Sequence, residues 1–248
     1  MVVDEVQDLT LVGVQLLHQL VGDRTNGLLL VGDSTQALYP GAFRLREAGI
    51  GVVGRSVRLV TNYRNREATL THLRGLDVSA VDLDDDGRGA TASGDPTPAA
   101  VSRPGGEVRV VEAVNEALLE QALLGELRDA VLRGTRAGVC AVLVTSNGAA
   151  ARWERLLESA GLPSVSLANY RGVEIDAVKV GTVHRAKGLE FGHVVVVDSA
   201  SLPPRRSAES DDAFDERAEV WRRAVHVAMT RARDTLWCGR VVGPASRR

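Results

Sequence analysis

Short apolar runs alternate with longer amphipathic stretches along the 248-residue chain, and that alternation admits few folds. A run of four to six Val, Leu and Ala residues suits a strand buried on both faces. An amphipathic stretch between two such runs suits the helix of a parallel crossover. The pattern predicts strands at 2–3, 28–31, 57–60, 107–111, 139–144, 178–182, 193–197 and 235–241, with helices at 9–21, 115–133 and 149–160. Asp8 or Thr10 is the N-cap candidate of the first helix, and Gly161 closes the third. Phe214, Ala218, Trp221, Val225 and Ala228 recur at spacings of 4, 3, 4 and 3, which predicts a long helix ending near Ala232.

The stretch 82–106 interrupts this order. It carries Asp84, Asp85 and Asp86, and 8 of its last 20 residues are Gly or Pro. Such a composition gains little from burial and predicts a flexible linker or surface loop. The expected fold class is therefore α/β, with two open, mostly parallel sheets flanked by helices. Residues 1–81 form the first unit, 82–106 the linker and 107–248 the second unit.

Composition narrows the function classes. Thirty Lys and Arg stand against 32 Asp and Glu, a formal net charge of −2, so neither a polybasic arm nor an acidic tail dominates. Cys140 and Cys238 lie far apart without paired His spacing, which excludes a disulfide framework and fits a reducing compartment. The acidic N-terminus has no signal-peptide core, and no run reaches the ~18 apolar residues of a membrane span. A soluble, cytoplasmic protein is expected.

Several short motifs gather chemistry at strand ends. Asp4 and Glu5 follow the first apolar run, at the edge of an open α/β sheet where ligands bind. An Asp there suits Mg²⁺, and an adjacent Glu suits activation of water. Gly32, Asp33 and Gln36 repeat the design after the second run, with an amide able to sense a terminal phosphate. In isolation, each is simply a polar turn after a strand. Residues 182–191 collect His184, Arg185, Lys187 and Glu190 around Gly188 between two strands. Arg231, three residues after Ala228, lies on the packed side of the last helix and can reach across a cleft. The alternative for Arg231, favourable helix C-terminus electrostatics, is worth only ~0.3–1 kcal/mol.

Taken together and in order, these segments resemble the UvrD/Rep-type superfamily 1 DNA helicases. VVDEVQD resembles motif II, LLLVGDSTQALY motif III, LVTNYRN motif IV, TVHRAKGLEF motif V and VAMTRAR motif VI. The resemblance implies two RecA-like sheets around a nucleotide cleft, with ATP and Mg²⁺ as cofactors and single-stranded DNA as partner. It implies that Asp4 coordinates Mg²⁺, Glu5 activates water, Gln36 contacts the γ-phosphate and Tyr63 stacks on adenine. Arg64 and Arg231 become arginine fingers, and Glu190 meets the ribose or phosphates, with Gly188 allowing close approach. Thr182 and His184 are placed towards the DNA track, and Tyr39 towards the coupling of the nucleotide and DNA sites.

Three departures qualify what is implied. The family's P-loop, GxxxxGK[ST], is absent: the two lysines follow Val178 and Ala186. The first sheet is expected to be truncated, to need a P-loop segment from the same gene or a separate polypeptide, and to be ATPase-deficient alone. The Trp that relatives stack on a DNA base is also missing, and Phe43 is the candidate substitute at a different spacing. About 120 residues separate Asn62 from Thr182, too few for the large accessory domain of many relatives. The expected function is the C-terminal portion of an ATP-dependent, 3′-to-5′ DNA helicase or translocase. Two alternatives remain: a non-catalytic RecA-like nucleic-acid-binding or regulatory module, and, with little support, a Mg²⁺-dependent nuclease built on Asp4 and Glu5.

Overall fold

A computed structural model of the chain describes residues 1–22, 24–33, 36, 38, 43–57, 59, 61–76, 100–197, 202 and 205–242. The strands in order are β1 (Val2–Val3), β2 (Leu29–Leu30), β3 (Thr61–Asn62), β4 (Ala100–Val101), β5 (Glu107–Ala113), β6 (Cys140–Val144), β7 (Ser164–Ser166), β8 (Val178–Thr182), β9 (Phe191–Val197) and β10 (Ala232–Val241). The helices are α1 (Leu11–Val21), α2 (Glu67–Arg74), α3 (Glu116–Leu132), α4 (Asn147–Ser159), α5 (Val183–Ala186) and α6 (Asp211–Thr230). The α/β class with parallel sheets flanked by helices is the one expected.

The larger sheet is six-stranded in the order β5-β10-β9-β6-β8-β7, and every pairing in it is parallel. Its central strands are buried on both faces, as continuous apolar runs such as Cys140–Val144 and Phe191–Val197 require. On one face Leu119, Leu123 and Leu127 of α3 and Trp153 and Leu157 of α4 cover Val142, Val180, Val195 and Trp237. On the other, Val225, Ala228 and Met229 of α6 and Val183 of α5 cover Leu143, Val194, Val196 and Leu236. Side-chain caps start the helices: Asn115 accepts from Leu118 N–H, Ser146 from Ala149 N–H and Ser210 from Ala213 N–H.

Two smaller parallel pairs stand beside it, β3-β4 and β1-β2; in the latter, called the smaller sheet below, Val2 lies opposite Leu29 and Val3 opposite Leu30. Thr10, not Asp8, caps α1, its side chain accepting from Gly13 N–H. Val6, Val14, Phe43, Leu45 and Ala48 make a separate small core.

Three expectations shift. The strand expected at 57–60 falls at Thr61–Asn62, because Val57 and Leu59 are exposed; residues 58 and 60 lie outside the described residues. The packing groups α2 with the larger sheet rather than with the N-terminal unit: Leu70 and Leu73 are buried in the core beneath α6. Most of the stretch expected as a linker lies outside the described residues. Its end does not behave as a free loop, since β4 pairs with β3 and Arg103 is bonded on two sides.

Candidate functional site

The ends of β1 and β2 are tied into one acidic corner. Glu5 sits in the left-handed region at φ 55, and its N–H donates to Asp4 Oδ1 at 2.8 Å, so the chain turns sharply after β1. Few non-glycine residues adopt this conformation, and such strain persists only where surroundings hold it. Gln7 supplies the hold. Its Nε2 donates to Glu5 Oε2, and its Oε1 accepts from Asp33 N–H at 3.1 Å. Gly32 makes room for this bridge: a Cβ there would lie 2.5 Å from Gln7 Oε1. Gln36 completes the corner, donating from Nε2 to Asp33 Oδ2 at 2.7 Å.

The larger sheet and the β3-β4 pair present cations to that corner. Arg231 follows α6 and leads into β10, is 1% exposed, and donates from Nη2 to Gln36 Oε1 at 2.5 Å. Its Nε donates to Val227 O at 3.2 Å. Burial, then the neighbouring Arg64 charge, pushes the Arg231 pKa down to about 10, while Glu5, Glu190 and Asp33 oppose that shift. The group remains a cation at neutral pH. A buried guanidinium with so few direct anionic partners is costly unless a ligand or a preorganised role accounts for it. Arg64 pairs with Glu190 at 2.6 Å, and Lys187 pairs with Asp8, lies 3.4 Å from Glu5 Oε2 and donates to Gln36 O at 3.2 Å.

Glu5, Gln36, Arg64, Glu190 and Arg231 therefore converge, although Arg64 and Arg231 are 167 residues apart in sequence. The two sheets meet by opposite edges: Glu5 and Asp33 follow the C-terminal ends of their strands, whereas Glu190 and Arg231 precede the N-terminal ends of β9 and β10. Carboxylates on one wall and guanidinium groups on the other suit a polyanion carried with a divalent cation. Among the described residues no group of three or more His, Cys, Asp or Glu could hold a metal. Mg²⁺ needs only one or two carboxylates beside phosphate oxygens, and the exposed Asp4 fits that requirement.

Other expected residues fall differently. Tyr63 is 74% exposed, its ring open beside Arg64. Gly188 has a φ of 76, and a Cβ there would meet no protein atom within 4 Å. Thr182 is buried at the C-terminal end of β8 and His184 is exposed, so both lie at the sheet edge away from Arg231. Tyr39 lies outside the described residues. Phe43 is overturned as a base-stacking residue: it is 4% exposed, and its ring is packed with Val6 and Val14. Gln7 is not singled out by the sequence, Asp8 is expected there only as a helix cap, and Lys187 only as one of a charged cluster. Only the clustering of polar residues in the two motifs pointed to them.

Residues 164–240 match the UvrD-like helicase C-terminal domain family. The C-terminal domain of a possible DNA helicase from Lactobacillus plantarum WCFS1 superposes with a TM-score of 0.50 at 17% identity, covering 74% of this chain and 91% of that one. An arterivirus nonstructural protein 10 helicase, solved with DNA, gives a TM-score of 0.34 at 14% identity, covering 57% of this chain and 32% of that one. No curated protein matches the sequence. Residues 164–240 thus resemble the C-terminal domain of UvrD-like helicases, and Glu190 and Arg231 lie within that segment.

Proposed function

We propose that the chain is the C-terminal portion of an ATP-dependent DNA helicase or translocase that couples ATP hydrolysis to 3′-to-5′ movement on single-stranded DNA. The observation that carries this is the buried Arg231 guanidinium bonded to Gln36, with Glu5, Arg64 and Glu190 around it. No packing need accounts for that set of polar groups together.

In this reading Glu5, steadied by Gln7, orients and deprotonates the attacking water. Arg64 and Arg231 stabilise charge on the transferring phosphoryl group from the opposite wall. Gln36, already shared between Asp33 and Arg231, reports the γ-phosphate to both walls. Asp4 holds Mg²⁺, which supplies charge neutralisation on the phosphates. Tyr63 offers a free ring for adenine, and Glu190 leaves Arg64 to meet the ribose. Thr182 and His184 border the DNA track at the far edge, and Tyr39 couples the two sites.

The phosphate cradle comes from a P-loop segment outside these 248 residues, of the same gene or another polypeptide. The smaller sheet supports this. Val2 (71% exposed), Leu29 (56%), Val12 (71%), Leu16 (59%) and Lys-free α1's Leu20 (67%) leave apolar side chains in solvent. Parallel sheets are ordinarily covered on both faces, so this pair fits the remainder of a larger sheet.

The test compares the chain alone with the chain plus a RecA-like P-loop segment. Alone, DNA-stimulated ATPase activity is expected to be negligible. In the restored assembly, Arg231→Ala should lower kcat by roughly 10³-fold with nucleotide affinity less affected. Turnover by the chain alone that disappears in Glu5→Gln would overturn the need for a P-loop. Tight binding to single-stranded DNA without ATPase activity in any assembly would establish the non-catalytic module instead.

A further inference from the structure

Arg64 and Arg231 stand on segments far apart in sequence, and their own side-chain contacts do little to fix their separation. Arg64 meets Glu190 in an ion pair with both side chains about two-fifths exposed, which solvent and salt weaken. The main chain is held more firmly. Asn65 is 2% exposed, and its Nδ2 donates to Thr230 O at 2.8 Å and to Ala232 O at 2.7 Å, the carbonyls on either side of Arg231. Its Oδ1 accepts from Asn62 Nδ2 at 3.0 Å, and Asn62 Oδ1 accepts the N–H groups of Arg64 at 2.9 Å and Asn65 at 2.8 Å. One buried amide thus joins the Arg64 backbone to the end of α6 and the start of β10.

Arg103 joins the same segments a second time. Its Nη1 donates to Arg64 O at 2.7 Å and to Arg233 O at 3.0 Å, and its Nη2 meets Asp234 Oδ1 at 2.6 Å. The planar fork fixes direction as well as distance. Contacts to residues 230, 232 and 233 surround Arg231 in sequence, and contacts to the N–H and the C=O of Arg64 surround that residue. Thr230 ends a helix, where main-chain carbonyls lack internal partners, so the Asn65 bond satisfies a group that would otherwise be buried and unpaired.

We propose that Asn65 and Arg103 form a clamp that sets the separation and orientation of Arg64 and Arg231, making both positioning residues for the two guanidinium groups. Their importance to catalysis rests on the arginine-finger reading; the clamp itself does not.

The test uses the full chain labelled with 15N-arginine and 15N-tryptophan, without nucleotide. The Nε–H signals of Arg64 and Arg231 are assigned with Arg64→Lys and Arg231→Lys, and the indole signals of the buried Trp153 and Trp237 report the core. In Asn65→Ala and Arg103→Ala both arginine signals should shift, and the Arg231 Nε–H should exchange about tenfold faster or more, with the indole signals unmoved. Arg103→Lys, which keeps charge but lacks the fork, should restore less than half of the change. Unmoved arginine signals in a folded variant would overturn the clamp. So would loss of the indole signals along with the arginine signals in both alanine variants, since the role would then be structural. No ATP enters the measurement, so failure of the ATPase reading leaves its outcome intact. Free arginines in an active assembly would in turn sink the clamp alone.

Discussion

Of the three parallel sheets, the six-stranded one and the β1-β2 pair contrast in how much of themselves they bury. The larger sheet is six strands deep, with a closed apolar core on each face. The smaller one has two short strands, a core of five buried residues and an open apolar surface on β1, β2 and α1. Both nevertheless contribute to the candidate site, Glu5 and Gln36 from the β1-β2 pair and Glu190 and Arg231 from the six-stranded sheet, while Arg64 follows β3 of the separate β3-β4 pair. The lesson is that completeness of a fold and completeness of a site are separate properties. Stability resides in one body, while half of the chemistry sits on a body that cannot cover its own hydrophobic residues.

The three tryptophans, Trp153, Trp221 and Trp237, all lie in the larger unit, so their fluorescence reads its unfolding selectively. Leu123→Ala, at a fully buried position of α3, should destabilise that transition by roughly 2–5 kcal/mol in urea titration. Val14→Ala, equally buried in the small core, should leave it unmoved. A shared shift would break the comparison by showing one cooperative body.

Next in size is a pH effect confined to the larger sheet. His193 is buried with its Nδ1 on Thr235 Oγ1 at 2.7 Å, and burial, then the Arg133 charge, pushes its pKa down to about 4. The unfolded chain protonates near 6.5, so between pH 6.5 and 4 it binds more protons than the native state. Stability is therefore lost as pH falls through that window, by roughly 3 kcal/mol from this residue. Equilibrium unfolding of wild type against His193→Gln isolates the contribution; parallel pH profiles would refute it.

Smaller effects belong to the smaller unit. Thr10→Ala removes the α1 cap and should cost about 1 kcal/mol, seen as faster amide exchange in α1 with no change in α3. Smallest is Leu16→Glu, at an exposed site, which should change stability of the chain by less than about 0.5 kcal/mol. Paired with a P-loop segment, the same variant should abolish assembly. Assembly that tolerates the glutamate would assign the apolar face another role.

Much of the larger sheet was legible because its strands are continuous Val-rich runs and its helices repeat at 3.6 residues. The strand Val178–Thr182 agrees to the residue, and α3 differs from expectation only at its ends. β7 escaped because Ser164–Ser166 is three residues with polar ends, indistinguishable from a turn without its neighbour β8. The placement of α2 escaped for a related reason: Leu70 and Leu73 reveal an apolar face but not which sheet receives it. In the site, the motif residues were readable, whereas Gln7 and Asn65 were not. An amide becomes a strut only when the distant groups it bridges are known, and those lie 26 and 165 residues away.

The connection from Thr182 to Glu190 has a mechanical meaning. β8 and β9 both run parallel to β6, so this segment leaves one edge of the sheet and must return along its length to the other, about 15 Å. It does so through α5, whose Val183 and Ala186 are anchored in the core. Residues at either end are thereby linked by a strut with almost no slack. So short and anchored a segment leaves little length to take up a displacement between Glu190 and Thr182, more a connecting rod than a spring.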